Sequence, residues 1–267
     1  MRTYQTRPTL SFLAEEILQA YADLFAHIEH SLFADISRGQ APHALKSSYL
    51  IKYGITARQF NAIRVQVEGK IASIKELRKT AISDVQEKIE ALESKISKLQ
   101  KKPLRRFLVH QKKRRLYTLQ DLLKKLIKEQ EEGTISLCFG SKKLFHAQFN
   151  LEANGYSSHE EWLGRWRQTR TSEIFFLGSK DETSGNQTCT ASIEEDTLKL
   201  RIRLPNALHE KFGKYLTIPT IAFAYGHQEI MASLIECQQR ELLVQAKDAR
   251  YTHYGQPLTY RFKRDKK

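Results

Sequence analysis

Long apolar runs are missing from this sequence. The longest, such as the run from Ile174 to Leu177, fall far short of the roughly 20 residues that a membrane-spanning helix needs. The N-terminal region also lacks the apolar core of a secretory signal, because Glu15 and Glu16 interrupt the apolar residues around it. We therefore expect a cytoplasmic protein that has no membrane partner.

Cysteine is scarce, and its spacing excludes several kinds of site. Cys138, Cys189 and Cys237 stand about fifty residues apart, without the close pairs that a zinc ribbon or a redox dithiol requires. We expect all three to be reduced core residues. The histidines show no metal-binding spacing, and no third group is present to orient Cys138 and His146 as nucleophile and base. The sequence predicts no metal, no cofactor and no catalytic residue.

Acidic residues are in short supply. Lys and Arg total 44 against 30 Asp and Glu, a net charge of +14, and such a surplus is typical of proteins that bind a polyanion. Between Ser94 and Gln120 there are ten basic residues and no acidic one. This cluster, with Phe107, His110 and Tyr117 for stacking, predicts nucleic-acid contact, and the alternative is a solvated helix face. The candidate contacts are Lys101, Lys102, Arg105, Arg106, Lys112, Lys113, Arg114 and Arg115.

The first half of the chain has helical periodicity. Apolar residues recur every three or four positions over residues 11–36, and a capping box at Thr56–Gln59 opens a long second stripe. Over residues 85–99 the steps alternate between four and three, as in a coiled coil or an antiparallel helical hairpin. Pro103 marks the tip of such a hairpin, and its return arm ends at Gly133.

From residue 134 onwards the pattern favours strands. Residues 134–149 alternate around the turn-like Gly140–Lys143, which predicts a β-hairpin. A capping box at Ser157–Glu160 predicts a helix with Trp162 and Trp166 on its inner side and Arg165, Arg167 and Arg170 facing solvent. Further strands are predicted over 3–7, 173–177, 189–193, 198–204, 216–225 and 258–262, with a helix near 228–239.

These elements predict an α+β fold in which a β-barrel is interrupted by an inserted helical domain with a long antiparallel helical hairpin. The lone N-terminal strand is best explained if it pairs with strands late in the chain. Residues 1–9 then hold the first strand of the barrel, residues 10–132 are the helical insertion, and residues 133–267 complete the barrel with short helices.

Four segments carry a resemblance to a known family. Ile135–Phe145, Trp162–Arg167, Glu173–Lys180 and Gly185–Gln187 resemble the amino-terminal half of TnpB-related proteins, which are transposon-encoded, RNA-guided nucleases related to type V CRISPR effectors. The similarity extends through residues 198–205 to the region of 260–265 and so covers most of the chain. The segment from 135 to 187 carries its greatest specificity.

The resemblance implies a wedge-like barrel interrupted by a helical recognition domain, both of which hold a guide RNA and its DNA target. It implies nucleic-acid contacts at Lys142, Lys143, Lys180, Asn186 and Gln187, and Arg165 in the matching helix is a further candidate. Family members continue into a RuvC-like nuclease domain, whereas this sequence stops at Lys267, so the resemblance implies binding without cleavage.

Three functions follow as hypotheses. The first is a guide-RNA and DNA-binding fragment of a TnpB-like protein, with a separate nuclease half or a full-length homologue as a further partner. The second is a coiled-coil adaptor or structural protein that dimerises through residues 85–99. The third is a regulator that competes with a full-length homologue for its RNA.

Overall fold

The chain is of α+β class and divides into two compact units. The computed structural model describes residues 2–101, 105–194, 197–246, 253 and 256–264. One unit, here called the mixed unit, comprises Met1–Gln66 and Phe139–Lys267, and the hairpin unit comprises Val67–Cys138. Helices and small antiparallel sheets make up the structure, which confirms the predicted α+β class.

The described elements follow one another in a helical half and then a mixed half. The helices are α1 Phe12–Ser37, α2 Pro42–Tyr53, α3 Ala57–Gln100, α4 Arg106–Glu131, α5 Lys142–Ala147, α6 His159–Arg170, α7 His209–Phe212 and α8 His227–Gln245. The strands are β1 Glu173–Phe176, β2 Cys189–Glu194, β3 Thr197–Arg203, β4 Tyr215–Ile221 and β5 Tyr260–Lys263.

Side-chain caps fix where the long helices begin. Ser11 Oγ accepts a hydrogen bond from Ala14 N at 3.2 Å and starts α1. At the start of α3, Gln59 N donates to Thr56 Oγ1 at 3.3 Å while Thr56 N donates to Gln59 Oε1 at 2.9 Å. This reciprocal pair is the predicted capping box, and it satisfies two backbone donors that the helix itself leaves free.

Gln59 also ties the first helices to the β-rich half of the mixed unit. Its Nε2 donates to Tyr21 Oη at 2.8 Å and to the Arg203 carbonyl oxygen at 3.2 Å, joining α1, α3 and β3. Burial raises the pKa of Tyr21 far above its ordinary value, so the phenol stays neutral in the core. The structure thus groups residues 10–66 with the strands, in contrast to the predicted helical insertion over 10–132.

The predicted first strand is not formed. Residues 2–10 have neither helical nor strand structure. The segment nevertheless lies beside β4, one of the later strands with which it was expected to pair. The Thr6 hydroxyl donates to the Ala222 carbonyl oxygen, just after β4. Pairing of this segment with β4 is disfavoured, because Pro219 has no N–H to donate and Thr220 has a positive φ of 52°. Side chains, rather than backbone pairing, hold the N-terminal segment.

The remaining predicted strands form two separate antiparallel sheets. In one, β1 pairs with β5, and in the other β3 lies between β2 and β4. Among the described residues these strands do not close into a barrel. Strand β4 ends at Ile221, earlier than the predicted 216–225, at the same irregularity that follows Pro219.

The predicted β-hairpin over residues 134–149 is wrong. Residues 134–141 form neither strand nor helix, and residues 142–147 form α5. Ser141 Oγ caps this helix by accepting from Leu144 N at 3.3 Å, and Ala147 is buried against Trp162 and Trp166 of α6. Capping and packing on α6 outweigh the weak alternation of apolar residues that suggested a strand.

Helix α6 begins one residue later than the predicted capping box implies. Ser158 is the N-cap and accepts from Glu161 N at 3.2 Å. The Glu161 carboxylate accepts from the Ser157 hydroxyl at 2.6 Å and from Ser157 N at 2.8 Å, and these hydrogen bonds lower the pKa of Glu161. Trp162 and Trp166 are buried on the inner side of the helix, as predicted.

Candidate nucleic-acid interface

An arginine of α3 joins the two arms of the hairpin unit. Arg78 Nη1 donates to the Glu129 carbonyl oxygen at 2.8 Å, and Arg78 Nη2 donates to the Thr134 carbonyl oxygen at 2.7 Å. Arg78 and Glu129 lie about equally far along the chain from residues 102–104. Helices α3 and α4 therefore run antiparallel, and the predicted seam belongs to a helical hairpin. Pro103, the predicted tip residue, lies outside the described residues.

The seam orients the two helices about their own axes. Val85, Ile89, Leu92 and Ile96 of α3 are buried at steps of four, three and four residues. The side chains between them face solvent, Lys95 among them, and Lys98 just after Ile96 is exposed as well. Because the buried stripe sets which positions remain outside, the hairpin presents its cations on the surface.

All described candidates of the predicted cationic cluster are exposed except Lys112. Lys112 is half-buried and falls in line with the half-buried seam positions of α4. Lys102 lies outside the described residues. The exposed candidates are Lys101, Arg105, Arg106, Lys113, Arg114 and Arg115, which together with Lys112 are called the cationic tip below.

Ion pairing differs between the two ends of the hairpin unit. Toward the base, cations are matched by carboxylates, in the pairs Lys79–Glu76, Arg78–Glu129, Lys125–Glu129 and Lys128–Glu132. No described acidic side chain pairs with a described residue of the cationic tip. The sequence explains this, because residues 94–120 contain no acidic residue. The tip therefore carries charge that no described carboxylate neutralises.

Planar side chains lie on the same face of α4 as some of these cations. Phe107, His110, Arg114 and Tyr117 are spaced by three or four residues and are all exposed, so they share one side of the helix. Phe107 is 72% exposed and Tyr117 is 66% exposed. Because the hydrophobic effect stabilises a fold only through buried apolar surface, these rings contribute little to folding. Rings interleaved with cations are suited to stacking on bases while phosphates are neutralised.

The first turn of α4 is electrostatically unfavourable. Its N-cap is Arg105, which makes no capping hydrogen bond from its side chain, and the first turn contains no acidic residue. The helix dipole places partial positive charge at this end, so Arg105 and Arg106 repel it. An anion bound at the tip would relieve this repulsion.

We expect the double substitution Arg105→Glu/Arg106→Glu to raise the free energy of unfolding of the hairpin by about 1 kcal/mol at low ionic strength, because it removes this repulsion and adds attraction. Thermal unfolding followed by circular dichroism would measure the gain, which should shrink as salt is added. Arg114→Glu/Arg115→Glu makes the same charge change away from the helix end and is the control. An equal or larger gain in the control would contradict the dipole argument.

Lys142 and Lys143 are exposed, but on a helix rather than on the predicted turn. They occupy the first turn of α5. On the same short segment Phe149 is 74% exposed and Phe145 is 39% exposed, and the Phe145 ring lies 5.5 Å from that of Trp166. Sequence reasoning missed these two rings because the segment was assigned to a strand.

The arginines of α6 do not all face solvent as predicted. Arg165 is half-buried and lines an open hollow of about 350 Å³ with Tyr156, Glu161, Gly164 and Gln168. Arg170 turns inward, with its guanidinium carbon 5.5 Å from the Trp166 ring centre and Nη2 3.0 Å from His30 Nδ1. Arg167 is exposed. Within this trio, Arg165 and Arg167 remain accessible to a ligand.

Asn186 is not available to a ligand, which contradicts its predicted role as a nucleic-acid contact. It is fully buried. Its Nδ2 donates to the carbonyl oxygens of Phe176 and Leu258 at 3.2 and 2.9 Å, and its Oδ1 accepts from Thr188 N and Cys189 N, both at 2.9 Å. The amide joins β1, the segment before β5 and the start of β2.

An ion pair and a hydrogen bond of Glu182 hold the loop around Asn186 in place. Glu182 is buried, with its Oε1 2.5 Å from Arg58 Nε in an ion pair that lacks hydrogen-bond alignment. Its Oε2 accepts from Gln187 N at 3.1 Å. The Gln187 side chain and Lys180 are exposed, so these two predicted contacts remain accessible at the edge of a structural loop.

The cysteines are divided between core and surface. Cys189 and Cys237 are buried, as predicted, and burial raises the pKa of both thiols, which keeps them protonated. Cys138 is exposed, so its predicted place in the core is wrong, because residues 134–141 do not form the buried strand expected there.

One basic surface was missed at the level of sequence. Lys199, Arg201 and Arg203 alternate with buried apolar residues along β3 and therefore share the outer face of a half-buried sheet. The alternation of basic and apolar residues over 198–204 could have predicted this surface, but it was used only to predict the strand.

No described helix combines the length and apolarity needed to cross a bilayer. No cluster of three or more His, Cys, Asp or Glu side chains suited to holding a metal ion occurs among the residues that the structure describes.

Comparisons with known proteins give no relative from which a role could be transferred. No protein-family model, no curated protein and no solved structure matches the chain.

Proposed function

We propose that this chain binds nucleic acid through the cationic tip of its helical hairpin. The observation that carries the proposal is a set of exposed cations that have no acidic partner among the described residues. Phosphodiesters would supply the missing counter-charge, and release of their condensed counterions would drive binding. Phe107 and Tyr117 lie on the same helix, ready to stack on unpaired bases.

Nucleic acid fits this surface better than a membrane does. A helix that lies on a bilayer presents a continuous apolar face beside its cations. In α4 the apolar stripe of Leu116, Leu119 and Leu123 is half-buried in the hairpin seam. The exposed rings of Phe107 and Tyr117 are separated on the helix face by His110 and Arg114. The coiled-coil adaptor is disfavoured for a related reason, because the seam residues of α3 are already buried within the chain.

We further propose that the nucleic acid is a guide-type RNA together with its DNA target, as in the amino-terminal half of TnpB-related proteins. The support is the order of the elements, in which a helical half is followed by a β-rich half. In this proposal the two antiparallel sheets of the mixed unit correspond to the wedge-like barrel of the family. The exposed Lys142, Lys143 and Lys180 fit the contacts that the resemblance implies, whereas the buried Asn186 does not. In this proposal these residues bind without cleaving.

Salt dependence tests the proposal. With a structured RNA, we expect the logarithm of the association constant to fall linearly with the logarithm of salt concentration, with a slope of about −4 to −6 if six to eight phosphates are contacted. Filter binding from low to moderate salt would measure it. Vesicles of phosphatidylserine and phosphatidylcholine form a second arm. An affinity for RNA that is independent of salt, or tighter binding to the vesicles, would contradict nucleic-acid binding by the tip.

A further inference from the structure

The sheet formed by β2, β3 and β4 has one buried and one open face. Leu198, Leu200 and Ile202 of β3 are buried, and their partners across the sheet on β2 and β4 are mostly buried as well. The alternate residues of the same strands point the other way. This second side, called the outer face below, comprises Thr190, Ser192, Lys199, Arg201, Arg203, Tyr215 and Thr217.

The charge on the outer face is almost entirely positive, and it is graded along the strands. Lys199 is paired with Glu194 at 2.8 Å, so this end of the face is neutralised. Toward the other end lie the exposed Arg201 and, immediately before β4, Lys214, whereas Arg203 is half-buried and its Nε is inaccessible to solvent. No described carboxylate pairs with Arg201 or Lys214, and both are exposed.

Arg201 is held in a defined orientation by an aromatic ring. Its guanidinium carbon lies over the Tyr215 ring, 3.8 Å from the centre, and Lys214 Nζ lies 5.5 Å from the same centre. A guanidinium stacked on a ring is planar and loses little further conformational freedom when a second planar group stacks on its other side. The Arg201–Tyr215 pair is thus a preorganised stacking platform on an open sheet.

Hydrogen-bonding groups flank this platform in register. Thr190 of β2 and Thr217 of β4 lie directly across from Arg201. The Thr190 hydroxyl donates to the Asn186 carbonyl oxygen at 3.2 Å, while Thr217 is exposed. A planar cation beside a free hydroxyl and a lysine can contact a base, a sugar and a phosphate of one strand.

We propose that the outer face of the β2–β3–β4 sheet is a second nucleic-acid surface, and that its ligand is a single strand whose bases stack on Arg201. The inference rests on the proposed function for the class of ligand, but it stands on residues of the other unit. A single strand is favoured because a duplex keeps its base faces stacked internally, whereas a single strand exposes them. An acidic protein would match the charge, but its aromatic rings do not recur along the chain beside each negative group as the bases of a single strand do beside its phosphates.

The second sheet of the mixed unit offers a matched control. Arg261 of β5 also stacks on an aromatic ring, with its guanidinium carbon 5.3 Å from the Phe175 ring centre. Its Nε lies 2.8 Å from Glu173 Oε1, so its charge is already neutralised. Arg201 and Arg261 thus both lie over a ring of a neighbouring strand, at 3.8 and 5.3 Å, and they differ in whether a described carboxylate pairs with the guanidinium.

The test uses the full chain carrying Lys113→Gln/Arg114→Gln/Arg115→Gln, which weakens binding through the tip and so makes a loss at the outer face easier to measure, with a fluorescent oligouridine as the probe. In this background we expect Arg201→Ala to weaken binding about tenfold, as loss of one stacked base predicts. Arg201→Lys should lose most of that affinity but keep the salt slope, because the charge remains and the planar group is gone. Arg261→Ala should bind as the background does.

Crosslinking locates the ligand independently of affinity. With 4-thiouridine in the oligonucleotide, we expect crosslinked peptides from β3 and β4, and their loss in Arg201→Ala while the tryptophan-monitored unfolding midpoint stays unchanged.

If Arg201→Ala binds as the background does and crosslinks fall only within residues 67–138, the outer-face proposal is overturned while the tip proposal stands. Equal displacement by polyglutamate and by unlabelled oligouridine would also overturn it, since charge alone would then explain binding. If the tip substitutions leave affinity for structured RNA unchanged but Arg201→Ala lowers it, the tip proposal fails alone.

Discussion

The triple substitution Lys113→Gln/Arg114→Gln/Arg115→Gln is expected to weaken binding of structured RNA about a hundredfold at ~0.1 M salt. Each phosphate contact contributes about 0.7 to the salt slope for a single strand, so the loss of three contacts removes about two logarithmic units. The magnitude of the slope should fall by about two as well. Filter binding across a salt series would yield both numbers from one set of titrations.

The control for this variant lies on the same helix. Lys124→Gln/Lys125→Gln/Lys128→Gln removes the same charge from α4, but Lys125 and Lys128 already pair with Glu129 and Glu132. Surface pairs of this kind contribute little to stability, so both variants should fold. We expect the control to lose much less affinity than the tip variant, because its cations are at the neutralised end of the hairpin.

Two outcomes separate local recognition from a general effect of charge. If both variants lose equal affinity, the net charge of the protein attracts the ligand, and the tip is no special surface. If neither loses affinity, the exposed cations are a solvated helix face, as most charged helix faces are. Only a difference between two chains of equal net charge supports recognition by the tip.

The helical half could be predicted from the sequence because its signals are local. Ser11 and the Thr56–Gln59 pair cap helices within three residues of themselves, and the apolar steps of α3 repeat over many turns. Such signals can be recognised without knowledge of a distant partner. The cationic tip could be predicted for the same reason, since one continuous segment, residues 94–120, contains ten basic residues and no acidic one.

The errors fall where short segments depend on distant partners. Helix α5 has six residues, too few for a helical period to be distinguished from alternation, and it is fixed by packing on α6. The N-terminal segment was expected to form a strand, and whether it does depends on the backbone near Thr220, more than 200 residues away. Periodicity within a segment carries no information about such a partner.

Burial of a polar residue was equally invisible. Asn186 stands between Gly185 and Gln187 in a polar stretch that suggested an exposed loop. Its carbonyl partners belong to Phe176 and Leu258, and the latter arrives from 72 residues later in the chain. The same motif thus contains an internal tie at Asn186 and an exposed side chain at Gln187.

Asn186→Ala is therefore expected to destabilise the mixed unit by roughly 4 kcal/mol. The change leaves two carbonyl oxygens and two N–H groups without their partner, and each unsatisfied buried group costs about 1–3 kcal/mol before relaxation. That is a large fraction of the 5–15 kcal/mol of a typical domain. Denaturant unfolding followed by tryptophan emission would measure the loss, because Trp162 and Trp166, the two tryptophans of the chain, both lie in the mixed unit.

Gln187→Ala is the matched control and decides between the two roles that the motif could have. Its side chain is exposed, and its backbone N–H keeps the hydrogen bond to Glu182, so stability should change by less than about 0.5 kcal/mol. If Gln187 contacts nucleic acid, the same variant loses affinity at unchanged stability. Loss of a buried hydrogen-bonding side chain must lower the free energy of unfolding. An Asn186→Ala protein of unchanged stability that fails to bind RNA would therefore contradict the burial of Asn186 and support its role as a contact.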